Sequence, residues 1–368
     1  MPVWDDGDAE RLPPLRGEAS AEVCVIGLGG SGLAALARLA DAGVDAIGLD
    51  AGQVGAGAAG RNVGFLLAGV AEFHHDAVQR FGHERALNLY RLTLAEMERW
   101  YAEDVPGARC TGTLRIAADA DELRDCEQQF AAMREDDLPV ERYDGPEGQG
   151  LLFPRDGAFH PMQRWRDLAT TLQARGVRLY GDTFARAIVD TRVQCAEAYV
   201  HAKKILIAVD GGLEVLLPEL APRVRSARLQ MLATAPTQEC RLSRPVYFRD
   251  GYDYWQQDEA GRIVLGGGRD IGGDDEWGAA AEPTAIVQKH LENTLRERLG
   301  VSAPITHRWA ARVAFTDDGL PIFGELRPDV FVTGAYNGTG NIFGALCGRS
   351  IANLALGATD PLAKCLRR

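Results

Sequence analysis

The turn that follows Ile26 constrains the fold of this chain more than any other feature. The apolar run Val23–Ile26 leads into Gly27-Leu-Gly-Gly-Ser-Gly32, which matches the pattern GxGxxG. Glycine at the first position permits a tight turn, at the second it lets the backbone approach a pyrophosphate, and at the third it allows close packing of helix and strand. The pattern therefore predicts the first turn of a dinucleotide-binding βαβ unit.

The residues that follow have the spacing of such a unit. An Ala- and Leu-rich helix is expected over 33–42, a turn at Gly43, and a second strand over 44–49. Amide groups at the helix N-terminus would face the phosphates, and Asp50 could accept hydrogen bonds from a ribose, which disfavours NADP. A glycine-rich structural turn is the alternative interpretation of the motif.

A second glycine-rich segment indicates which kind of dinucleotide the chain binds. Residues 55–64 read Gly-Ala-Gly-Ala-Ala-Gly-Arg-Asn-Val-Gly and stand where an ordinary nicotinamide-binding fold would begin its next helix. This insertion favours a flavin dinucleotide.

Composition limits the remaining classes of function. With 368 residues and 46% hydrophobic content, the chain is long enough for two domains. A net charge of −12 argues against nucleic acid or an anionic membrane as partner, since both need a cationic face. The seven cysteines are scattered without a CxxC pair, which indicates reduced thiols. With no signal peptide and no apolar run of membrane-spanning length in this sequence, we expect a cytoplasmic enzyme.

Periodicity organises the rest of the chain. Residues 1–20 are expected to form a polar surface arm, residues 73–101 one interrupted helix or two helices, and residues 140–153 a turn-rich link. The continuously apolar run 205–209 predicts a buried parallel strand that leaves through Gly211-Gly212, as a close approach to a cofactor or as a plain turn. Aromatic-rich strands then predict one wall of a substrate pocket, and a helix is expected over 282–299.

Four stretches resemble the FAD-dependent D-amino-acid oxidase superfamily, in the branch of glycine oxidase, sarcosine oxidase and γ-glutamylputrescine oxidase. They are residues 27–50, residues 55–64 (similar to the family's GWGASGRNGG), residues 205–235, and residues 316–324 together with 335–340. The resemblance covers nearly the whole chain. It implies oxidation of the C–N bond of an amine or amino acid to an imine by hydride transfer to FAD, with oxygen reoxidising the flavin to give hydrogen peroxide.

The resemblance also implies a fold and domain limits. The fold class is α/β, with a Rossmann-type, glutathione-reductase-like FAD-binding domain over 1–75, 155–225 and 306–368. A discontinuous substrate domain over 76–154 and 226–305 is expected to be built on a mainly antiparallel sheet.

Arg61 and Asn62 are expected to lie beside the flavin and its pyrophosphate, with residues 334–341 donating backbone hydrogen bonds around the ring. Arg61 could stabilise the anionic reduced ring, or it could form a phosphate contact or a structural ion pair. The chain departs from the family pattern at Ala59, Val63, Asp210 and Ala335. The predicted FAD contacts are Gly27, Gly29, Gly30, Ser31, Gly32, Asp50, Ala51, Gly57, Ala58, Arg61, Asn62, Val63, Gly64, Asp210, Gly211, Gly334, Asn337, Gly338, Thr339, Gly340 and Asn341.

A substrate carboxylate would be held by arginine, whose planar fork matches two oxygens. Arg312 is the first candidate, because the glycine oxidase-like relatives carry a substrate arginine at this place; a surface or interdomain ion pair is the alternative. Arg269 is a second candidate. Tyr252 and Tyr254 could line the pocket opposite the flavin or pack in the core, with Trp255 on the other face of their strand.

Two absences qualify the resemblance. Sarcosine oxidases attach FAD through a cysteine before the segment that resembles 314–316, and this chain has none there, so we predict noncovalent FAD. The strand 262–266 also lacks their oxygen-activating lysine. A dehydrogenase that passes electrons to a quinone or protein acceptor therefore remains an alternative, as does a flavin-binding partner subunit or sensor without turnover.

No metal is predicted, and the pair His74-His75 is interpreted as a solvated helix end. Substrate identity and oligomeric state remain open.

Overall fold

A computed structural model describes residues 1–5, 10–105, 107–278 and 280–367. The strands are β1 (Gly17–Ile26), β2 (Ala46–Leu49), β3 (Phe65–Leu66), β4 (Thr113–Ile116), β5 (Glu141–Gly145), β6 (Gly148–Phe153), β7 (Gly157–Ala158), β8 (Arg178–Tyr180), β9 (Ala185–Val189), β10 (Arg192–Cys195), β11 (Ala198–Ala208), β12 (Val224–Thr234), β13 (Val246–Phe248), β14 (Asp253–Gln257), β15 (Ile263–Gly267), β16 (Ile305–Thr316), β17 (Ile322–Arg327) and β18 (Val330–Gly334). The helices are α1 (Gly30–Asp41), α2 (His74–Phe81), α3 (His83–Ala102), α4 (Ala120–Glu135), α5 (Pro161–Ala174), α6 (Leu213–Leu216), α7 (Arg269–Gly272), α8 (Ala285–Asn293), α9 (Ile342–Ala355) and α10 (Pro361–Leu366).

The chain forms two compact units, each assembled from separate segments. The parallel-sheet unit comprises Asp6–Arg61, Pro161–Ala227 and Arg312–Arg368. The mixed-sheet unit comprises Met1–Asp5, Asn62–His160 and Arg228–Ala311.

The parallel-sheet unit has the strand order of a Rossmann domain. Its parallel strands lie in the order β8-β2-β1-β11-β18, with β17 antiparallel at the edge and the β9–β10 hairpin attached to β11. Counted along the chain, the parallel strands follow the order 3-2-1-4-5. Ile205, Leu206 and Ile207 of β11 are fully buried, as expected for a central parallel strand.

Helices α1 and α9 pack closely in this unit. A Cβ atom at Gly348 of α9 would lie 1.9 Å from the carbonyl oxygen of Ser31 in α1, so a glycine is required at their contact. The buried face of α1 consists of Gly, Ser, Ala and Leu residues, and that of α9 is rich in Ala, Gly and Ile. This packing brings α9, the helix that follows β18, against the first helix of the nucleotide-binding motif.

The mixed-sheet unit is built on a mainly antiparallel sheet. Its strands lie in the order β16-β12-β15-β14-β13-β4-β6-β5, and the pair β4–β13 is parallel. Trp255, Leu265 and Leu291 belong to a buried cluster between this sheet and α8. The predicted α/β fold class, with a Rossmann-type unit and a mainly antiparallel second sheet, is confirmed.

Three local predictions from the sequence were wrong. Residues 140–153 contain the hairpin β5–β6. The N-terminal arm is not confined to the surface, because Val3, Trp4, Leu12 and Leu15 are buried. The helix expected over 282–299 is instead α8 followed by a π-helical turn over Thr294–Arg298. Residues 73–101 form two helices separated at Gly82, which confirms one of the two predicted alternatives.

The compact units also differ from the expected domain limits. Residues 62–75 and 155–160 were expected with the Rossmann domain, but they lie in the mixed-sheet unit, as do residues 306–311. The first two segments are tied together because β3 pairs with β7. Residues 1–5 also lie in this unit, whereas 226–227 lie in the parallel-sheet unit.

His74 and His75 are buried, so the interpretation of this pair as a solvated helix end was wrong. His74 Nε2 lies 2.6 Å from Asp136 Oδ2, and His75 Nε2 lies 2.8 Å from Asp125 Oδ1. The seven cysteines are free thiols. Within the described ranges, no helix combines the length and apolar character that crossing a membrane requires.

Candidate active site

The glycine motif forms the predicted turn at the end of β1. Gly27 has φ +103°, and a Cβ atom on it would lie 2.3 Å from the carbonyl oxygen of Ala208. A Cβ atom on Gly32 would lie 1.8 Å from the carbonyl oxygen of Gly27. These contacts require glycine for the turn and for packing between α1 and the sheet, as the motif predicted.

The first turn of α1 has the donor set of an anion site. Its N-cap residue, Gly29, has no side chain to bond the first amide groups of the helix. A Cβ atom on Gly29 would have only the Ala59 Cβ within 4 Å among described residues, at 3.3 Å. Uncapped amides and the positive end of a 12-residue helix favour phosphate. Ser31 is buried, and its side chain bonds the Tyr336 hydroxyl.

Asp50 follows β2 and fixes the neighbouring backbone. Its Oδ2 accepts a hydrogen bond from Leu28 N–H at 2.7 Å, and its Oδ1 accepts one from Gly52 N–H at 2.8 Å. Burial raises the pKa of this carboxyl, and the two backbone donors oppose that shift. Each oxygen retains a second lone pair, so a ribose hydroxyl remains a compatible partner.

The second glycine-rich segment folds back on itself. Gly55 has φ +70°, and Gly60 N–H bonds the Gly55 carbonyl at 3.0 Å. Trp165 Nε1 donates to the Ala59 carbonyl at 2.9 Å, and its buried ring packs where a Cβ atom of Gly30 would stand. Trp165 thus joins the two glycine-rich segments. Among the other predicted contacts here, Ala51 and Gly57 are exposed, whereas Ala58 and Arg61 are half-buried.

The carboxylate of Asp210 binds backbone amides. Its Oδ1 accepts from Tyr336 N–H at 3.0 Å and its Oδ2 from Ala314 N–H at 3.2 Å, and Ala335 N–H also bonds this group. Burial raises its pKa to about 6. Three backbone N–H groups therefore satisfy this carboxylate within the parallel-sheet unit.

The loop after β18 has unusual backbone geometry. Ala335, Asn337 and Gly338 have φ values of +56°, +54° and +90°. Only glycine adopts this left-handed region without steric cost, so the buried Ala335 is held there by its surroundings. Asn337 Oδ1 accepts from Thr316 N–H at 2.8 Å, which ties the loop to the end of β16. Thr339, Gly340 and Asn341 are half-buried and lead into α9.

Arg312 lies against the Gly211-Gly212 turn. A Cβ atom on Gly211 would lie 2.7 Å from Arg312 Cβ, and one on Gly212 would lie 3.4 Å from an Arg312 guanidinium nitrogen. The glycine pair therefore accommodates this arginine. Arg312 is half-buried, and its guanidinium forms no hydrogen bond or ion pair with any residue that the structure describes.

The Rossmann topology brings these residues together. The carboxyl ends of parallel strands share one edge, so the residues after β1, β2, β11 and β18 lie on the same side of the sheet. The strand order reverses between β1 and β11, and ligands of such sheets bind at that switch point. The predicted contacts gathered at this edge include the glycine turn, Asp50, Asp210 and Gly211, and the segment beginning at Gly334.

Other predicted residues belong to the mixed-sheet unit. Trp4 Nε1 donates to the Asn62 carbonyl at 2.7 Å, and Asn62 Oδ1 accepts from Gly64 N–H at 2.8 Å. Gln256 Nε2 bonds the Val63 carbonyl, and Phe159 N–H bonds the Gly64 carbonyl at 2.9 Å. The segment 62–64 is thus held by three distant parts of the chain.

The aromatic strand separates its residues between two faces. Tyr254 contacts Tyr247 and Phe65 edge to face, with ring centroids 6.1 Å and 6.3 Å away, whereas Trp255 is buried in the core. This alternation confirms the predicted period of two. Burial raises the pKa of the Tyr247 and Tyr254 phenols, yet both residues keep accessible surface. Tyr252 precedes β14 in a turn and lies under Arg269, whose guanidinium carbon is 5.4 Å from the ring centroid.

Sequence reasoning did not single out Tyr247, Trp4, Gln256 or Trp165. Tyr247 lies within a predicted aromatic strand, and the repeated aromatic residues of Val246–Phe248 were the available signal. Trp4 was an isolated large aromatic residue in an acidic segment, and nothing local indicates its partner.

His75, Asp76 and Asp125 place three possible metal-ligand atoms within 4.8 Å of one another. Asp125 also bonds the Arg115 guanidinium, a cation that already balances its charge. The expectation that the chain has no metal stays a prediction.

Comparison with known proteins decides the family. The family model described as FAD dependent oxidoreductase (DAO) matches residues 22–354. The chain belongs to this family. It is therefore an FAD-dependent oxidoreductase, and the uncapped amides of α1, the glycine-lined turn and Asp50 fit the phosphates and ribose of that cofactor.

Relatives agree with this assignment over nearly the whole length. The chain is 26% identical over 378 residues to gamma-glutamylputrescine oxidoreductase of Escherichia coli, covering 94% of this chain and 86% of the relative. Glycine oxidase from Geobacillus kaustophilus has the same fold, with a TM-score of 0.78, 18% identity, and coverage of 93% and 96%. L-amino acid deaminase from Proteus vulgaris gives a TM-score of 0.77 at 16% identity, with coverage of 97% and 95%.

Proposed function

We propose that this DAO-family enzyme oxidises the C–N bond of a small amine or amino acid to an imine, which water then hydrolyses. The names of the relatives support this substrate class, since they include an oxidoreductase of gamma-glutamylputrescine and a glycine oxidase. Bound FAD supplies the two-electron acceptor for this chemistry. The observation that carries the proposal is Arg312, a half-buried guanidinium without a partner among the described residues.

Arg312 is assigned to the substrate carboxylate. The Arg312 guanidinium has no ion-pair partner among the described residues and none of its nitrogens is fully buried, so its N–H groups are available to an anion that arrives with the substrate. The two parallel N–H groups of its fork fix the orientation of a carboxylate as well as its position. Fixed orientation of the carboxylate determines where the donor carbon lies, which is the main demand of hydride transfer on the protein.

FAD would be held noncovalently. The amides at the start of α1 and Asp50 are assigned to its pyrophosphate and ribose, and residues 334–341 and Arg61 to its ring. No cysteine stands among residues 312–316, where a covalent attachment would be expected. The proposed oxidant of the reduced enzyme is oxygen, which would yield hydrogen peroxide.

A second candidate function is that of an amine dehydrogenase, which passes electrons from the reduced flavin to an acceptor other than oxygen. Position 262, at the start of the strand expected to carry the oxygen-activating lysine, is an arginine whose Nε lies 2.7 Å from Asp258 Oδ2. Because Asp258 already neutralises the Arg262 guanidinium, this arginine is not expected to replace the oxygen-activating lysine. Its pairing therefore favours slow reaction of the reduced flavin with oxygen, and hence a quinone or protein as the electron acceptor.

One experiment separates these functions. The FAD-loaded protein is mixed anaerobically with a panel of amines and of D- and L-amino acids, and flavin absorbance is followed; bleaching by any member supports the proposal. Failure of the whole panel to bleach the flavin would contradict it. Stopped-flow mixing of the reduced enzyme with oxygen then gives fast reoxidation for an oxidase and slow reoxidation for a dehydrogenase.

A further inference from the structure

Asp210 connects two parts of the parallel-sheet unit that carry proposed site residues. We propose that Asp210 is a positioning residue, whose carboxylate fixes the end of β16 that carries Arg312 relative to the loop 334–341. This inference rests on the functions proposed above for Arg312 and for that loop.

The hydrogen bonds of Asp210 reach both parts. Its Oδ2 lies 3.2 Å from the nitrogen of Ala314, two residues after Arg312. Its Oδ1 lies 3.0 Å from the nitrogen of Tyr336, and Ala335 N–H also donates to the group. One side chain on the turn after β11 therefore holds the backbone of two segments that are distant in sequence.

The backbone beside Asp210 contacts the same arginine. A Cβ atom on Gly211 would lie 2.3 Å from the Arg312 carbonyl oxygen, so the two chains are in close contact. Asn337 N–H bonds the Ala314 carbonyl at 3.2 Å, which closes a ring of contacts among the three segments. A shift of residue 210 would consequently displace Arg312 and the loop together.

A carboxylate is the side chain that suits three converging donors. Its two oxygens offer about four acceptor positions, whereas an amide offers two and adds N–H groups that would face other donors. Successive N–H groups of Ala335 and Tyr336 form an anion-binding concavity of the kind called a nest. The left-handed φ of +56° at Ala335 is part of this arrangement. Loss of the acceptor would leave buried amides unpaired and release that strained residue.

The test compares Asp210→Ala and Asp210→Asn with a matched control, Asp360→Ala. Asp360 is also a buried carboxylate of the same unit, and it accepts from the amides of Leu362 and Ala363 at the start of α10. Three quantities are measured: the dissociation constant of FAD, the absorption and circular dichroism spectra of the bound flavin, and KM. KM is determined for an amino acid and for a carboxylate-free amine that both reduce the flavin.

In Asp210→Ala we expect the dissociation constant of FAD and the KM of the amino acid each to rise about tenfold, with altered flavin spectra. KM of the carboxylate-free amine should change by less than about threefold, because it does not use Arg312. Asp210→Asn should show smaller changes in the same direction. Asp360→Ala should lower thermal stability without changing the flavin spectra or KM.

A purely structural role would give Asp210→Ala the behaviour of Asp360→Ala, and that result would overturn the proposal. Should Asp210→Ala not fold, the Asp210→Asn protein decides, and wild-type values of all three quantities in it would also overturn the proposal. If no amine or amino acid reduces the flavin, the proposed function fails. The FAD dissociation constant and flavin spectra of the Asp210 variants still test the role of Asp210 in that case.

Discussion

The carbonyl oxygen of Gly27 occupies the position that a side chain of Gly32 would need, with only 1.8 Å to a Cβ atom built there. Because the clashing atom belongs to the backbone of the same turn, no side-chain rotation can relieve it. Gly32→Ala should lose stability by about 3 kcal/mol through overpacking and should bind FAD weakly.

Thermal unfolding and FAD content of the purified variant check this prediction. Gly43→Asn, in the turn after the same helix, is the matched control, because Gly43 has φ +71° with no atom within 4 Å of a built Cβ, and asparagine tolerates that conformation. Wild-type melting temperature and FAD content in Gly32→Ala would show that the turn can relax, contrary to the structure.

Arg312 should discriminate between substrates that do and do not carry a carboxylate. Arg312→Met is expected to raise KM for an amino acid about 100-fold, from the loss of two charge-assisted hydrogen bonds. KM for a carboxylate-free amine should change little. Steady-state kinetics of Arg312→Met, Arg312→Lys and Arg269→Met check the assignment, and Lys should fall between Arg and Met. If Arg269→Met raised the KM of the amino acid more than Arg312→Met, the residue that binds the carboxylate would be Arg269 and not Arg312.

Asp156 should make stability depend on pH. It is buried, it accepts from the Thr113 hydroxyl at 2.9 Å, and burial raises its pKa from 3.8 to about 7. Because the folded-state pKa is raised, its contribution to stability is greatest at low pH and is lost as pH rises from about 4 to 7. Above pH 7 the contribution is constant.

Asp156→Asn should remove this part of the pH dependence. At about 1.4 kcal/mol per pKa unit, the variant should gain roughly 2 kcal/mol relative to wild type between pH 5 and pH 7. Melting temperatures at a series of pH values measure the difference. Parallel curves for the two proteins would show that Asp156 titrates near its ordinary pKa in the folded state.

Trp4 should support the segment that contains Asn62. Trp4→Phe keeps most of the apolar volume and removes the N–H that bonds the Asn62 carbonyl at 2.7 Å. A partly buried hydrogen bond of this kind contributes about 1 kcal/mol, so the FAD dissociation constant should rise about fivefold. Trp100→Phe is the control, since it loses an N–H bonded to Glu96 at 3.2 Å. Equal FAD affinities in the two variants would show that the hydrogen bond from Trp4 to Asn62 does not support FAD binding.

The dinucleotide-binding half of the fold could be predicted because its signals are local. Turn, helix and strand lie within residues 23–50, and each glycine has a conformational reason that the sequence pattern encodes. Asp50 could be placed on the same grounds. The family resemblance then extended these predictions to Asp210 and to the loop after β18.

The missed features depend on contacts between distant residues. Glu141–Gly145 is polar and half exposed, so its pairing with β6 has no hydrophobic signature. Trp4 is buried because Asn62 and His160 surround it, and neither is near it in sequence. His74 and His75 are buried because Asp136 and Asp125 of a later segment supply their partners. Local periodicity contains no information about such partners.

The most direct test of the central claim is the absorption spectrum of the FAD-loaded protein during anaerobic titration with amines and amino acids. The account predicts that the protein retains one flavin per chain without a covalent bond, and that at least one amino acid bleaches it. The same amino acid should bleach the Arg312→Met protein only at far higher concentration. A protein that retains FAD but is not reduced by any member of the panel would contradict the account.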